Sequence, residues 1–146
     1  MNAAYMLGRI LLSLVFVVAG IQKLMDIRPT ADMLAATKIP IPEQIVPYLG
    51  DIPKYQALGY LIAAIELICG LMVLIGLKAR WGALVLIVFT AATITQHFWD
   101  MSGEAFSSNL TEVLENLSIM GGLLLVVAVG SRAEFYGSPL RRAIPH

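Results

Sequence analysis

Apolar residues fall along this chain in four long blocks separated by polar breaks. The first runs from about Tyr5 to Met25, around the unbroken core ILLSLVFVVAGI at 10–21. The second, about Tyr55 to Leu77, holds a single charge, Glu66. The third is roughly Trp81 to Phe98 and the fourth about Asn109 to Gly130. A helix rising about 1.5 Å per residue needs about 20 residues to cross a hydrocarbon core about 30 Å thick. The second and fourth blocks meet that length. The first meets it with Arg9 and Lys23 near its ends, and the third is short enough to stand nearly upright. The pattern predicts an all-α fold, a four-helix antiparallel transmembrane bundle forming one integral membrane domain over 1–146. Arg9, the apolar run and Val18-Ala19 loosely fit a cleaved leader. Arg9 is a weak basic region and three further spans follow, so the block reads as a retained span.

The breaks differ in character. Residues 26–54 carry Pro29, Pro40, Pro42, Pro47 and Pro53, which cannot continue a helix. This predicts a long outer loop, with a short helix over 30–37 capped by Thr30. Ile39, Ile41, Ile45, Val46 and Leu49 are too apolar for a free linker, so the loop is expected to fold back onto the bundle mouth. Lys78-Ala79-Arg80 is short enough to require an antiparallel hairpin. Residues 99–108 are acidic and polar, and the tail from Ser131 is polar.

Composition supports a membrane setting. Of 146 residues, 58% are hydrophobic and 14% charged, against about 25% charged in soluble domains. Net charge is zero, so no basic excess points to nucleic acid. The lone cysteine, Cys69, excludes an internal disulfide, a CxxC pair and a thiolate zinc site. Two histidines leave little for a metal centre. Charge distribution sets an orientation. One side holds Arg9, Lys78, Arg80, Arg132, Arg141 and Arg142 against Glu134 alone. The other holds Lys23, Arg28, Lys38 and Lys54 against Asp26, Asp32, Glu43, Asp51, Asp100, Glu104, Glu112 and Glu115. Both termini are therefore expected in the cytoplasm. Aromatic residues fall at the two interfaces accordingly, Tyr5, Trp81, Phe135 and Tyr136 inside and Tyr48, Tyr55, Phe98 and Trp99 outside.

Ionisable residues within spans cost about 2.5–3.5 kcal/mol on insertion scales and tend to face a bundle interior. Glu66 lies about eleven residues into its block, near mid-membrane. It shares a helical face with Gly59, Ala63 and Gly70, small residues that permit close approach of a neighbour. Arg9, Ser13, Phe16, Gly20 and Lys23 form a matching stripe on the first block. Either cation has the plain alternative of reaching its own interface. Thr90, Thr93 and His97 share one face of the third block. Glu112 and Asn116 stack on the fourth, with Glu115 turned about 100° from Asn116. Glu112 reads as a polar helix start that suits the dipole, whereas Asn116 lies deeper and suits an interhelical hydrogen bond. Topology brings Lys23, His97, Glu115 and Asn116 toward the outer side with Glu66 below them. Such a pocket suits a polar head group coupled to proton movement, such as a quinone, and it equally suits a structural ion-pair network. Cys69 reads as a packing residue. Asn109-Leu110-Thr111 reads as a helix start and Gly121-Gly122 as close packing.

The pieces GRILLSLVFVVAGIQKL (8–24), IPIPEQ (39–44), ELICGLMVLIGLKAR (66–80), QHFWD (96–100) and ENLSIMGGLLLV (115–126), in this order and spacing, resemble the DoxX family of small bacterial four-helix membrane proteins. The resemblance implies that Arg9, Gly20, Lys23, Glu66, Gly70, Gly76, Arg80, His97 and Asn116 occupy family positions. It also implies a place in the bacterial inner membrane. Relatives named DoxD look like membrane subunits of thiosulfate:quinone oxidoreductases, and other members resemble partners in thiol and oxidative-stress defence complexes. Some relatives carry cysteine pairs, which this chain lacks.

The expected function is a membrane subunit associated with redox chemistry, quinone- or thiol-linked, with no redox centre of its own. Glu66, Lys23 and His97 are the candidate proton-handling and anion-holding residues. Asn116, Glu115 and Arg9 are the candidate ligand contacts, Arg9 also reading as an anchor at the cytoplasmic end. The expected partners are membrane lipids and proteins of a larger complex, and quinone is the one cofactor considered. The alternative is a non-catalytic scaffold subunit, whose outer faces and 26–54 loop bind other proteins.

Overall fold

The structure, a computed structural model, describes residues 3–37, 46–49, 52–99 and 106–130. Five α-helices occur among them: α1 (Ala3–Met25), α2 (Arg28–Ala36), α3 (Lys54–Ile75), α4 (Ala79–Trp99) and α5 (Phe106–Val129). A short 3-10 turn covers Val46–Leu49. The fold is all-α, with one more helix than the four expected. The additional helix is α2, which answers to the short helix expected over 30–37 but begins at Arg28. Pro29 sits in the first turn of α2, where its missing N–H and fixed φ are tolerated. Thr30 is not the cap foreseen: the N-cap is Ile27, with no side-chain cap bond, and Thr30 is buried. The apolar residues Ile39, Ile41 and Ile45 lie outside the described residues.

α1, α3 and α5 are long and apolar enough to cross a membrane, and α4 carries a shorter apolar stretch over Ala79–Thr95. Glycine chemistry ends α3. Gly76 takes a left-handed φ of 86° and its N–H donates to the Met72 carbonyl, closing the helix as a C-terminal glycine does. A tight turn then leads into α4.

The long helices alternate in direction. α1 packs chiefly on α3, α4 on α5, and α3 on α4, whereas α1 and α5 touch sparingly. The α1–α3 seam is close because a glycine of each helix meets the other. A Cβ on Gly20 would lie 3.0 Å from the Leu67 backbone N, and one on Gly70 would lie 3.1 Å from the Phe16 Cβ. Gly82 brings α4 onto α3 in the same way, beside the Cys69 carbonyl. Small residues at helix contacts let backbones approach where lipid supplies no hydrophobic drive. Phe16, Cys69, Val73, Ala79, Ala83, Leu86, Leu123 and Val126 form the core. α2 lies along the start of α3, with Ile27 and Thr30 over Gly59.

The buried stripes match the sequence reading. Arg9, Ser13, Phe16 and Gly20 are the buried residues of α1. Gly59, Ala63, Glu66 and Gly70 are all buried on α3. Of the Gly121-Gly122 pair, Gly122 packs against Leu12, while Gly121 faces open space.

Candidate functional site

Glu66 reaches its position because a helix of small residues lets α1 come close. Gly20 on α1 lies against Ala63 and Leu67, which sets Lys23, one turn further along, opposite Glu66. The Lys23 ammonium Nζ donates to Glu66 Oε2 at 2.5 Å. Glu66 is 3% exposed, and Lys23 Nζ also stands 5.6 Å from the centroid of the Phe89 ring on α4. The cation is therefore held by a carboxylate on one side and a π face on another, both stabilising in a low-dielectric setting.

This pair forms part of the wall of a cavity of about 470 Å³. α1 contributes Phe16 and Lys23, α2 contributes Thr30 and Leu34, α3 contributes Glu66, α4 contributes Phe89, Thr90 and Thr93, and α5 contributes Glu112 and Asn116. The lining is mainly apolar with a few polar groups at the Lys23 end of the bundle. The size and character are those of small-molecule pockets, which run about 300–1,000 Å³. The threonines are partly committed elsewhere. Thr90 Oγ1 donates to the Leu86 carbonyl at 2.8 Å and Thr93 Oγ1 to the Phe89 carbonyl at 3.2 Å. Each hydroxyl oxygen can still accept.

The DoxX family profile matches residues 4–99. The chain belongs to the DoxX family. A curated relative is the inner membrane protein YphA of Escherichia coli (strain K12), 28% identical over 131 residues, covering 88% of this chain and 84% of YphA. No solved structure matches. The DoxX match takes in the cavity walls from α1 to α4, and the wall supplied by α5 lies beyond it.

The predicted site residues part company in this DoxX protein. Glu66 and Lys23 meet as an ion pair, and Asn116 lines the same cavity. Asn116 makes no interhelical hydrogen bond among the described residues, so its amide is left to face the cavity. The His97 side chain lies outside the described residues. Its backbone continues α4 one turn past Thr93. Glu115 is exposed and does not line the cavity; the helical turn that aims Asn116 inward aims Glu115 away. Glu112, read from sequence as a helix-start acid, takes the place one turn from Asn116. Arg9 lies at the opposite end of α1 and lines a separate cleft. Fourteen residues separate it from Lys23, about 21 Å along a helix axis, too far to share one pocket.

The wall supplied by α2 agrees with the expectation that the 26–54 stretch folds back onto the bundle mouth, whereas Phe89 was not singled out in the sequence. The i, i+4 stacking of Glu112 on Asn116 was the signal available for the α5 wall. No comparable signal marked Phe89, an aromatic inside an apolar block. Chemically, the arrangement offers one ammonium and one carboxylate sharing a proton-bearing contact, an unspent amide and a second acid, all beside an aromatic floor. Among the described residues no three His, Cys, Asp or Glu side chains converge as a metal site would need.

Proposed function

We propose that this DoxX-family protein is a multi-pass subunit of the bacterial inner membrane with both termini cytoplasmic. Its cavity receives the polar head of a quinone, and the electrons come from a partner protein. The observation that carries this reading is the Lys23–Glu66 pair set into the wall of a mainly apolar cavity. Reduction of a quinone to a quinol takes up two electrons and two protons. The chain has groups suited to the proton side of that exchange. Lys23 donates a hydrogen bond to a head-group oxygen and stabilises its developing negative charge. Glu66 holds Lys23 in place, and Asn116 orients the head group. His97, whose backbone follows one turn past Thr93 on α4, is the proposed proton carrier, a role that suits an imidazole. A small-thiol head group is the neighbouring alternative for the same cation.

Purification in mild detergent, followed by mass spectrometry of co-purifying proteins and bound quinone, tests the assignment. A stoichiometric redox partner or retained quinone supports it. Glu66→Gln is then expected to cut quinone retention and partner-linked activity about tenfold or more, as loss of one charged site group does, while the protein stays folded. Equal loss of abundance and activity overturns it.

A second reading has one observation in its favour: the ion pair bridges α1 and α3, the closest seam of the fold. In that reading the pair is structural and the protein is a scaffold for a larger membrane complex. Complex activity that survives neutralisation of Lys23, Glu66 and Asn116 together favours it.

A further inference from the structure

The α1–α5 seam opens twice. At the Lys23 end it forms the cavity described above. At the other end a second cleft of about 350 Å³ is lined by Tyr5, Gly8, Arg9 and Leu12 of α1 and by Gly122 and Leu125 of α5. Leu12 packed on Gly122 lies on the seam between the two openings.

Arg9 sets the chemistry of this second cleft. It is 7% exposed, and its Nε is buried with no hydrogen-bond partner. No described carboxylate pairs with it. Its guanidinium lies where a Cβ on Gly76 would be, at the carbonyl end of α3. A helix C-terminus carries about half a negative charge, so α3 offsets only part of the cation. Arg80 repeats the arrangement on α5, its guanidinium lying against Gly130 and its Nη2 donating to the Ala128 carbonyl at 3.4 Å. The Tyr5 hydroxyl donates to the Gly130 carbonyl at 3.1 Å. Each guanidinium is thus only partly offset by the helix end it lies against, and this end of the bundle keeps a net positive charge.

Apart from Tyr5, the cleft walls beside Arg9 are apolar or glycine, and the cleft is open to the side. Nothing lies within 4 Å of a Cβ built on Gly8. Leu125 in the cleft wall is 65% exposed, and Leu7 and Leu11 of α1 are exposed as well. In a membrane-spanning chain such a flank faces acyl chains. A planar guanidinium with unspent donors matches a phosphate group, and basic pockets between transmembrane helices take anionic head groups. A free anion would gain nothing from the leucine and glycine walls. We infer that the Arg9 end of the α1–α5 seam binds an anionic phospholipid, its phosphate on Arg9 and one acyl chain beside Gly8 and Gly122.

The test uses the full chain purified in mild detergent and exchanged with phosphatidylglycerol or phosphatidylcholine, with bound lipid counted by native mass spectrometry. The expected result is a preference for phosphatidylglycerol of about fivefold. Arg9→Gln removes that preference. Gly8→Leu, which enters open space, reduces retention of both lipids and keeps the test decisive if the Arg9 variant does not fold. Equal retention of the two lipids by the unaltered chain overturns the inference. So does a preference that survives both substitutions, or one abolished by inorganic phosphate at the lipid's own concentration, which would mark a simple anion site.

Discussion

Lys23 and Glu66 are unequal partners. The Lys23 side chain is 26% exposed and that of Glu66 only 4%. Removing Lys23 strands a buried carboxylate, whereas removing the Glu66 charge leaves a cation whose stem can carry it toward the membrane surface. Lys23→Met is therefore expected to cost about 3–5 kcal/mol, the range for breaking a buried pair from one side. Glu66→Gln is expected to cost about 1 kcal/mol, since the amide still accepts from Nζ. Reversible unfolding in mixed micelles measures both, and a smaller loss for Lys23→Met contradicts the asymmetry. The double variant Lys23→Met/Glu66→Leu should recover most of the stability and none of the proposed binding. Glu66 was legible as the lone charge of its block and Lys23 as a charge at the end of its own, and the small residues sharing each face indicated an inward orientation. Glu112 was not legible in the same way. An acid at a helix start satisfies the dipole and can line a pocket with the same sequence, and only the neighbouring helices distinguish the two.

Helix existence was read from block length, and helix faces from the spacing of small and polar residues. The short helix expected over 30–37 is α2, and what the pattern did not supply was its start at Arg28, two residues earlier. Proline density argues for a loop, yet a single proline in a first turn is compatible with a helix, and burial of Ile27, Ala31 and Leu34 against the bundle decides the matter. The glycines sort into two kinds by what surrounds them. Gly20 meets backbone atoms of α3 at 3.0–3.1 Å, while Gly8 meets nothing. Gly20→Ala must push α1 and α3 apart, an overpacking cost of about 1–3 kcal/mol. It should also loosen the Lys23–Glu66 contact one turn away. Gly8→Ala should be neutral or stabilising by up to about 1 kcal/mol through helix propensity. The same unfolding measurement compares them, and equal effects would mean that the α1–α3 seam is looser than the geometry indicates.

Across the whole molecule, alternation of the long helices puts the α3–α4 turn and the start of α5 at opposite ends. With the basic excess on the α3–α4 side, Leu77→Cys should react with a membrane-impermeant maleimide only after cells are opened. Ser107→Cys should react in intact cells. A Cys69→Ser background removes the native thiol, and reversed labelling would invert the proposed orientation. The uneven seams carry a mechanical consequence. Among the described residues, parting α1 from α3 breaks an ion pair and two interlocked glycine contacts. Parting α1 from α5 breaks the Tyr5–Gly130 hydrogen bond, worth about 0.6 kcal/mol in a membrane protein, and the packing of Leu12 on Gly122. The softest deformation of the bundle is therefore a swing of α5 on α4, like a door with its hinge on one edge and two light latches on the other. Leu12 is the middle latch, and trimming it leaves the Tyr5 hydroxyl as the one described hydrogen bond on that free edge.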